Sequence, residues 1–84
     1  EDEAVIVRFW AAKTLGNIGS EARQATGALL GLFGDADPNV RWEAITAIAK
    51  IAPGAITEDD WSRLLADSDP GVRQRAATIR TASL

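Results

Sequence analysis

One short sequence motif occurs three times in this chain, and it constrains the fold more than any other feature. The copies begin at Val7, Val40 and Val72, lie 33 and 32 residues apart, and read VRFWAAKTLGNIG, VRWEAITAIAKIA and VRQRAATIRTASL. A fixed period in this range is the sequence signature of stacked helical repeats. Because one such repeat cannot bury its apolar face alone, neighbouring repeats must pack together, and the stack presents an extended surface.

Apolar spacing and chain breakers predict five helices, over residues 3–18, 21–33, 38–51, 58–66 and 70–83. Two Asp-Pro pairs, at 37–38 and 69–70, open the third and fifth helices. Aspartate caps the free amides of a first turn, and proline fits the first helical position. Thr57 and Asp60 predict a capping box at the fourth helix. No stretch alternates with period two for long enough to form a strand, so the predicted fold class is all-α.

Each helix is expected to bury one apolar face. In the second copy this face consists of Val40, Ala44, Ile48 and Ile51, and the equivalent residues of the first copy are Val7, Ala11, Leu15 and Ile18. The connecting helices align with Leu29, Leu32 and Phe33 opposite Trp61, Leu64 and Leu65. Gly27 and Gly31 are expected to let neighbouring helices approach closely, or else to leave a shallow groove. Gly19 is expected to end the first helix, with Ser20 capping the next.

The repeated motif resembles that of a known family. Copies two and three share Asp-Pro-x-Val-Arg followed by an alanine, at Asp37 to Ala44 and Asp69 to Ala76. Nearly the whole chain is similar to the HEAT family, in particular the short HEAT-like repeats first associated with bilin lyases and also used in designed repeat scaffolds. The resemblance implies an α-solenoid of about five helices in antiparallel pairs. It gives one domain over 1–84, with units at approximately 1–36, 37–68 and 69–84.

An arginine follows the valine of every copy. In HEAT-like proteins the arginine at this position pairs with acids at the adjacent turn, so the resemblance implies a structural ladder built from Arg8, Arg41, Arg73, Asp37 and Asp69. Asp35 and Asp67 are placed for the same role. The alternative is that the three arginines form a row that binds phosphate.

Composition disfavours catalysis. The chain has no histidine and no cysteine, so the usual soft metal ligands and activated nucleophiles are missing. Glu58, Asp59 and Asp60 could act as an acid/base pair or bind a hard cation. The simpler interpretation is that these acids complement the dipole of a helix N-terminus. We therefore predict a protein that is not an enzyme, with no catalytic residues, no metal site and no cofactor.

Binding to another protein is the predicted function. The resemblance places the connecting helices on the concave side, and the candidate contact residues there are Arg23, Gln24, Glu58, Asp59, Ser62 and Arg63. A bilin lyase or phycobiliprotein-handling factor is the alternative, and a HEAT-like DNA-binding protein is the next. The net charge of -3 disfavours a nucleic-acid partner. The sequence shows no signal peptide, no membrane span and no cysteine, and we expect a cytoplasmic location.

The first helix carries more apolar residues than one buried face requires. Val5, Ile6 and Trp10 fall outside the face that begins at Val7. Because exposed apolar patches are uncommon in monomers, the N-terminal helix is expected to pair with another copy of itself or with some other chain, with Trp10 as the anchor. The chain contains no methionine and opens inside a repeat, from which we expect a piece of a longer array.

Overall fold

The computed structural model describes residues 3–83 and consists of helices joined by short 3-10 segments. The α-helices are α1 (Glu3–Ile18), α2 (Thr26–Gly31), α3 (Pro38–Ile51), α4 (Glu58–Leu65) and α5 (Pro70–Ser83). The 3-10 segments are Gly19–Ala25, Leu32–Gly34 and Pro53–Ala55. Within 3–83 there is no strand, which confirms the all-α prediction. Residues 1, 2 and 84 of the predicted domain lie outside the described residues.

The three helices that carry the repeated motif, α1, α3 and α5, pack side by side. The second helix of each repeat packs on the motif helix that follows it, so α2 lies on α3 and α4 lies on α5. The molecule measures 35 × 30 × 17 Å, and its short dimension corresponds to two helix layers. The predicted α-solenoid is confirmed. No helix in residues 3–83 has both the length and the apolar character needed to cross a membrane.

The predicted helix starts are present at α3, α4 and α5. The side chain of Asp37 accepts hydrogen bonds from the amides of Asn39 and Val40, at 2.8 and 3.3 Å. The carboxylate of Asp69 accepts from the amide of Val72 at 3.0 Å. At α4 the capping box forms in both directions. These caps fix the first turns because the first amides of a helix have no partner within it.

The predicted helix over 21–33 is wrong as one continuous element. The chain forms the 3-10 segment Gly19–Ala25, the short helix α2 and a second 3-10 turn, with a non-helical residue at Ala22 (φ -89°, ψ 20°). Gly19 has φ +80° and ends α1, as expected for a glycine after a helix. Ser20 lies inside the 3-10 segment and does not cap it. Two glycines within the six residues of α2 weaken its intrinsic helix propensity.

The core is centred on α3. Six fully buried large side chains define it: Leu29, Val40, Ile45, Ile48, Leu64 and Val72. The residues aligned between the two connecting helices all contact this core, with Leu29, Trp61 and Leu64 buried and Leu32, Phe33 and Leu65 partly buried. The predicted layer between repeats is therefore present. Because α1, α2 and α5 all contact α3, most of the α3 circumference is buried.

The predicted buried face of α1 is wrong at Val7, Ala11 and Ile18, which are exposed, whereas Leu15 is partly buried against the core. Val7 is 65% exposed, whereas its equivalents Val40 and Val72 are fully buried. Ile18 is 51% exposed, against 3% for the equivalent Ile51. The reason is positional: α3 packs against α1, α2 and α5, whereas the main contacts of α1 within residues 3–83 are with α3 and the segment Gly19–Ala25.

The first helix packs on α3 through two small residues instead. Ala12 is fully buried, and Gly16 lies so close to α3 that a Cβ built on it would stand 3.0 Å from the Cα of Ala47. The close approach expected at Gly27 and Gly31 is wrong, since a Cβ at either position would meet open space. The glycine that permits close packing is therefore in α1 rather than in α2.

A matched pair of glycine substitutions tests this packing. Gly16→Ala should lower the free energy of unfolding by about 1–3 kcal/mol, because the new methyl group must displace the α3 backbone. Gly27→Ala should leave it unchanged or raise it by up to about 1 kcal/mol, because the site is open. Urea unfolding followed by circular dichroism measures both values. Equal effects of the two substitutions would mean that α1 does not pack on α3 as described.

Candidate partner-binding surfaces

The guanidinium of Arg41 joins two consecutive turns of the solenoid. Its Nε and Nη2 atoms donate to the two carboxylate oxygens of Asp67 at 2.8 and 2.7 Å. Its Nη1 donates to the backbone carbonyls of Asp35 and Ala36 at 2.8 and 3.3 Å. Both side chains are nearly buried, at 11% and 10% exposure. A planar donor group suits this bidentate geometry, which adds direction to the attraction between charges.

The arginines of the other two copies make parts of the same pattern. Arg8 donates to Asp35 from Nε at 2.6 Å and from Nη2 at 3.2 Å. Arg73 donates from Nη1 to the carbonyl of Asp67 at 2.6 Å, which repeats the backbone contact of Arg41. The acids that accept these carboxylate bonds are Asp35 and Asp67.

The two acids named for the ladder, Asp37 and Asp69, serve a different purpose. Their carboxylates cap the first turns of α3 and α5, and their own amides donate to the carboxylates of Asp35 and Asp67, both at 2.9 Å. Proline at the next position keeps the cap residue extended and out of reach of the arginine. In each Asp-x-Asp-Pro turn the first acid therefore binds arginine, and the second starts the helix.

These contacts shift the pKa values of the ladder groups. The hydrogen bond from Arg8 lowers the pKa of Asp35, and burial only partly opposes it. Burial raises the pKa of Asp67, but the bonds from Arg41 and from the amide of Asp69 outweigh this and leave it below its ordinary value. The bond to Asp67 raises the pKa of Arg41. All three groups are therefore charged at neutral pH.

The contact residues predicted on the connecting segments are all solvent-exposed: Arg23, Gln24, Glu58, Asp59, Ser62 and Arg63. Arg23 and Gln24 lie in the 3-10 segment before α2 rather than on a helix. Of the six, Arg63 lines a groove between α2 and α4, together with Leu30, Gly31, Phe33 and Asp60. The open glycine keeps this groove accessible, as the alternative interpretation of Gly31 proposed.

Three charged residues outside the ladder have partners within the chain: Glu58, Arg75 and Arg80. Glu58 accepts a hydrogen bond from Nη2 of Arg80 at 2.8 Å. Arg75 donates from Nε to Thr46 at 3.0 Å, and its guanidinium lies 4.6 Å from the centre of the Trp42 ring. Arg75 and Arg80 are therefore both bound within the chain. Their partners lie on other helices, at distances along the chain that no local pattern records.

The exposed large apolar side chains among the described residues all belong to α1: Ile6, Val7, Trp10 and Ile18. We call these four residues the α1 face. Trp10 is 55% exposed and meets Phe9 edge to face, with ring centroids 5.6 Å apart. The surface around it, with Ala11, Thr14 and Leu15, is a shallow apolar groove.

The repeat motif and its stacking have a counterpart in a known family. The family model for HEAT repeats matches residues 1–79. The chain is a HEAT-repeat protein. No match was found among curated proteins or among solved structures.

Within residues 3–83 no group of three or more histidine, cysteine, aspartate or glutamate side chains is arranged to hold a metal ion. The acids Glu58, Asp59 and Asp60 occupy the first turn of α4, where they complement the helix dipole. Asp60 is also bound into the capping box with Thr57.

The ladder predicts unequal costs for two equivalent arginines. Arg41→Ala should lower the free energy of unfolding by about 1.5–3 kcal/mol, because it removes buried charge-assisted bonds and leaves the Asp67 carboxylate without its guanidinium partner. Arg73→Ala should cost less than about 1 kcal/mol, because Arg73 is exposed. Chemical denaturation of both variants measures this difference. If binding to a protein were lost in Arg41→Ala while its stability stayed normal, the arginines would be contact residues and not structural ones.

The ladder also predicts a loss of stability in acid. A lowered folded pKa means that the ionised forms of Asp35 and Asp67 stabilise the fold above the unfolded value of about 4, and that this contribution is lost as the pH falls further. Asp67→Asn should be less stable than the wild type at neutral pH and should lose less stability between about pH 5 and 3. Urea titrations across this range test the expectation. Parallel pH curves for the two proteins would contradict it.

Proposed function

We propose that this HEAT-repeat chain is a non-catalytic protein-binding scaffold. The observation that carries the proposal is the α1 face, where four large apolar side chains are exposed on one helix. Monomeric proteins rarely leave a contiguous apolar patch uncovered, and such patches mark interaction sites. A tryptophan near the middle of the helix provides the kind of anchor that dominates protein interfaces.

The internal repeat supports a helix-binding role for this face. Val7 and Ile18 occupy motif positions that are buried in the second copy, whose helix α3 packs against α2 and the 3-10 segments on either side of it. Their side chains therefore have the shape and spacing that pack under a crossing helix elsewhere in the same molecule. The favoured partner is a protein that offers an apolar helical surface.

The groove between α2 and α4 is a second proposed contact surface. Its lining combines the apolar side chains Leu30 and Phe33 with the charged pair Asp60 and Arg63, a mixture typical of protein interfaces. The predicted contacts at Arg23, Gln24, Glu58, Asp59 and Ser62 would extend this surface on the connecting segments. A bilin-handling protein and a DNA-binding protein are the alternative functions that the family resemblance allows. No contact described above favours either of them.

Self-association through the α1 face is the form of protein binding that can be measured without a known partner. The face belongs to a single helix of 16 residues, which offers less than the roughly 800 Å² per partner of a stable interface. We therefore expect a weak dimer whose population rises with concentration. Light scattering from micromolar to millimolar protein should show the mean mass rising in the wild type and staying at the monomer value in Trp10→Glu.

A matched control separates this effect from added charge. Ala77→Glu introduces the same carboxylate at an exposed position of α5, and its mass should rise as in the wild type. A wild-type mass that stays monomeric up to millimolar concentration would exclude self-association. A rise that Trp10→Glu does not reduce would mean that the α1 face is not the contact.

A further inference from the structure

Two polar side chains are buried in the part of the chain that the structure describes, and they differ in one respect. The hydroxyl of Thr46 is satisfied both as donor and as acceptor: its Oγ1 donates to the carbonyl of Trp42 at 3.0 Å and accepts from Nε of Arg75 at 3.0 Å. Glu43 is only 5% exposed, yet no residue of 3–83 donates a hydrogen bond to its carboxylate or forms an ion pair with it. Native proteins pair nearly all buried polar groups, so an unpaired carboxylate requires an explanation.

The carboxylate of Glu43 opens into a groove between α1, α3 and α5. Every fully buried side-chain oxygen or nitrogen in the described residues has a partner, so the oxygens of Glu43 must reach solvent. The groove is their route, because Glu43 lines it together with the buried residues Ala12, Gly16 and Ala47. We call it the Glu43 groove.

The rim of the Glu43 groove carries the opposite charge. Lys13 and Lys50 line it and are exposed, and Arg75 lines it beside the Trp42 ring. Glu43 is the one carboxylate among the lining residues. A hard metal ion would need several more oxygen ligands than this lining offers. The groove is therefore acidic at its floor and basic at its rim.

We propose that the Glu43 groove binds a segment of another protein in which an arginine or lysine is flanked by acidic residues. The cation reaches the floor and pairs with Glu43, while the acidic neighbours meet Lys13 and Lys50. A ligand with only positive charge would be repelled by the three basic side chains, and one with only negative charge would leave Glu43 without a partner. A guanidinium fits the carboxylate best because the two groups pair through parallel hydrogen bonds.

This site is separate from the surfaces described under the proposed function. The Glu43 groove is lined by motif helices alone, whereas the groove that contains Arg63 is lined by residues of the α2–α4 side. Its occupation requires neither the α1 face nor self-association. The two proposals can therefore fail independently.

The test uses short blocked peptides as probes. Acetyl-Glu-Arg-Glu-amide is titrated into the full chain, and amide and indole shifts are followed by NMR. We expect saturable shifts centred on Trp42, Glu43 and Thr46. Acetyl-Glu-Gln-Glu-amide, acetyl-Gln-Arg-Gln-amide and free arginine should each bind at least about tenfold more weakly, because each lacks one half of the charge pattern or its spacing. Equal binding of any of the three would overturn the proposal.

Substitutions test the role of Glu43 itself. Glu43→Gln should weaken the binding of acetyl-Glu-Arg-Glu-amide at least about tenfold, and Lys50→Gln should weaken it about threefold. The control Glu21→Gln removes an exposed carboxylate far along the chain and should bind as the wild type does. Binding that Glu43→Gln leaves unchanged would overturn the proposal.

A melting experiment distinguishes a binding group from a structural one. If Glu43 awaits an external cation, Glu43→Gln should melt at or above the wild-type temperature, because it removes an unpaired charge from a largely buried position. Should Lys13 or Lys50 already pair with Glu43 in solution, Glu43→Gln would melt several degrees lower, and the proposal would be wrong. Glu43→Asp keeps the charge and serves as the check that the helix tolerates substitution here.

Discussion

The stacking of the repeats depends on one guanidinium group that bonds in two directions. Arg41 holds the carbonyl of Asp35 in the turn before α3 and the carboxylate of Asp67 in the turn after α4. The same carboxylate accepts the amide of Asp69, which starts α5. The spacing between successive turns is therefore set by a rigid planar group with five donors. A lysine could carry the same charge but could not hold three acceptors in fixed directions.

Apolar burial follows the register that this group sets. In α3 the motif face lies under α2, and in α5 it lies under α4, so Val40 and Val72 are fully buried. The same residues in α1 have no described element above them, and Val7 stays exposed. One sequence motif thus produces a core in two places and an exposed apolar surface in a third. The difference lies entirely in the neighbours, as expected for a structure whose repeats contact only the adjacent ones.

The fold could be predicted from the sequence because its determinants are local and periodic. The Asp-Pro caps, the capping box at Thr57 and the aligned triplets that begin at Leu29 and Trp61 all depend on residues a few positions apart. The HEAT-repeat match over 1–79 agrees with that pattern. The failures share a different cause. Burial of Val7 required a covering helix, and the close approach of Gly16 to Ala47 required two helices to meet. Composition cannot record either fact.

The surface residues were hardest to predict for the same reason. Asp35 and Asp37 are both acids close to Arg41 in sequence. The extended backbone before Pro38 makes Asp37 the helix cap, and Asp35 forms the ion pair. The Glu43 groove had no sequence signal beyond a glutamate between Trp42 and Ala44.

The two repeat spacings, 33 and 32 residues, differ by one residue whose place can be found by alignment. The Asp-x-Asp-Pro turns align without a gap, so the additional residue lies in the first repeat between Ile18 and Leu29, which includes the 3-10 segment Gly19–Ala25. Insertions should therefore be tolerated in that connection and at Pro53–Ala55, and rejected in the turns that hold the arginines.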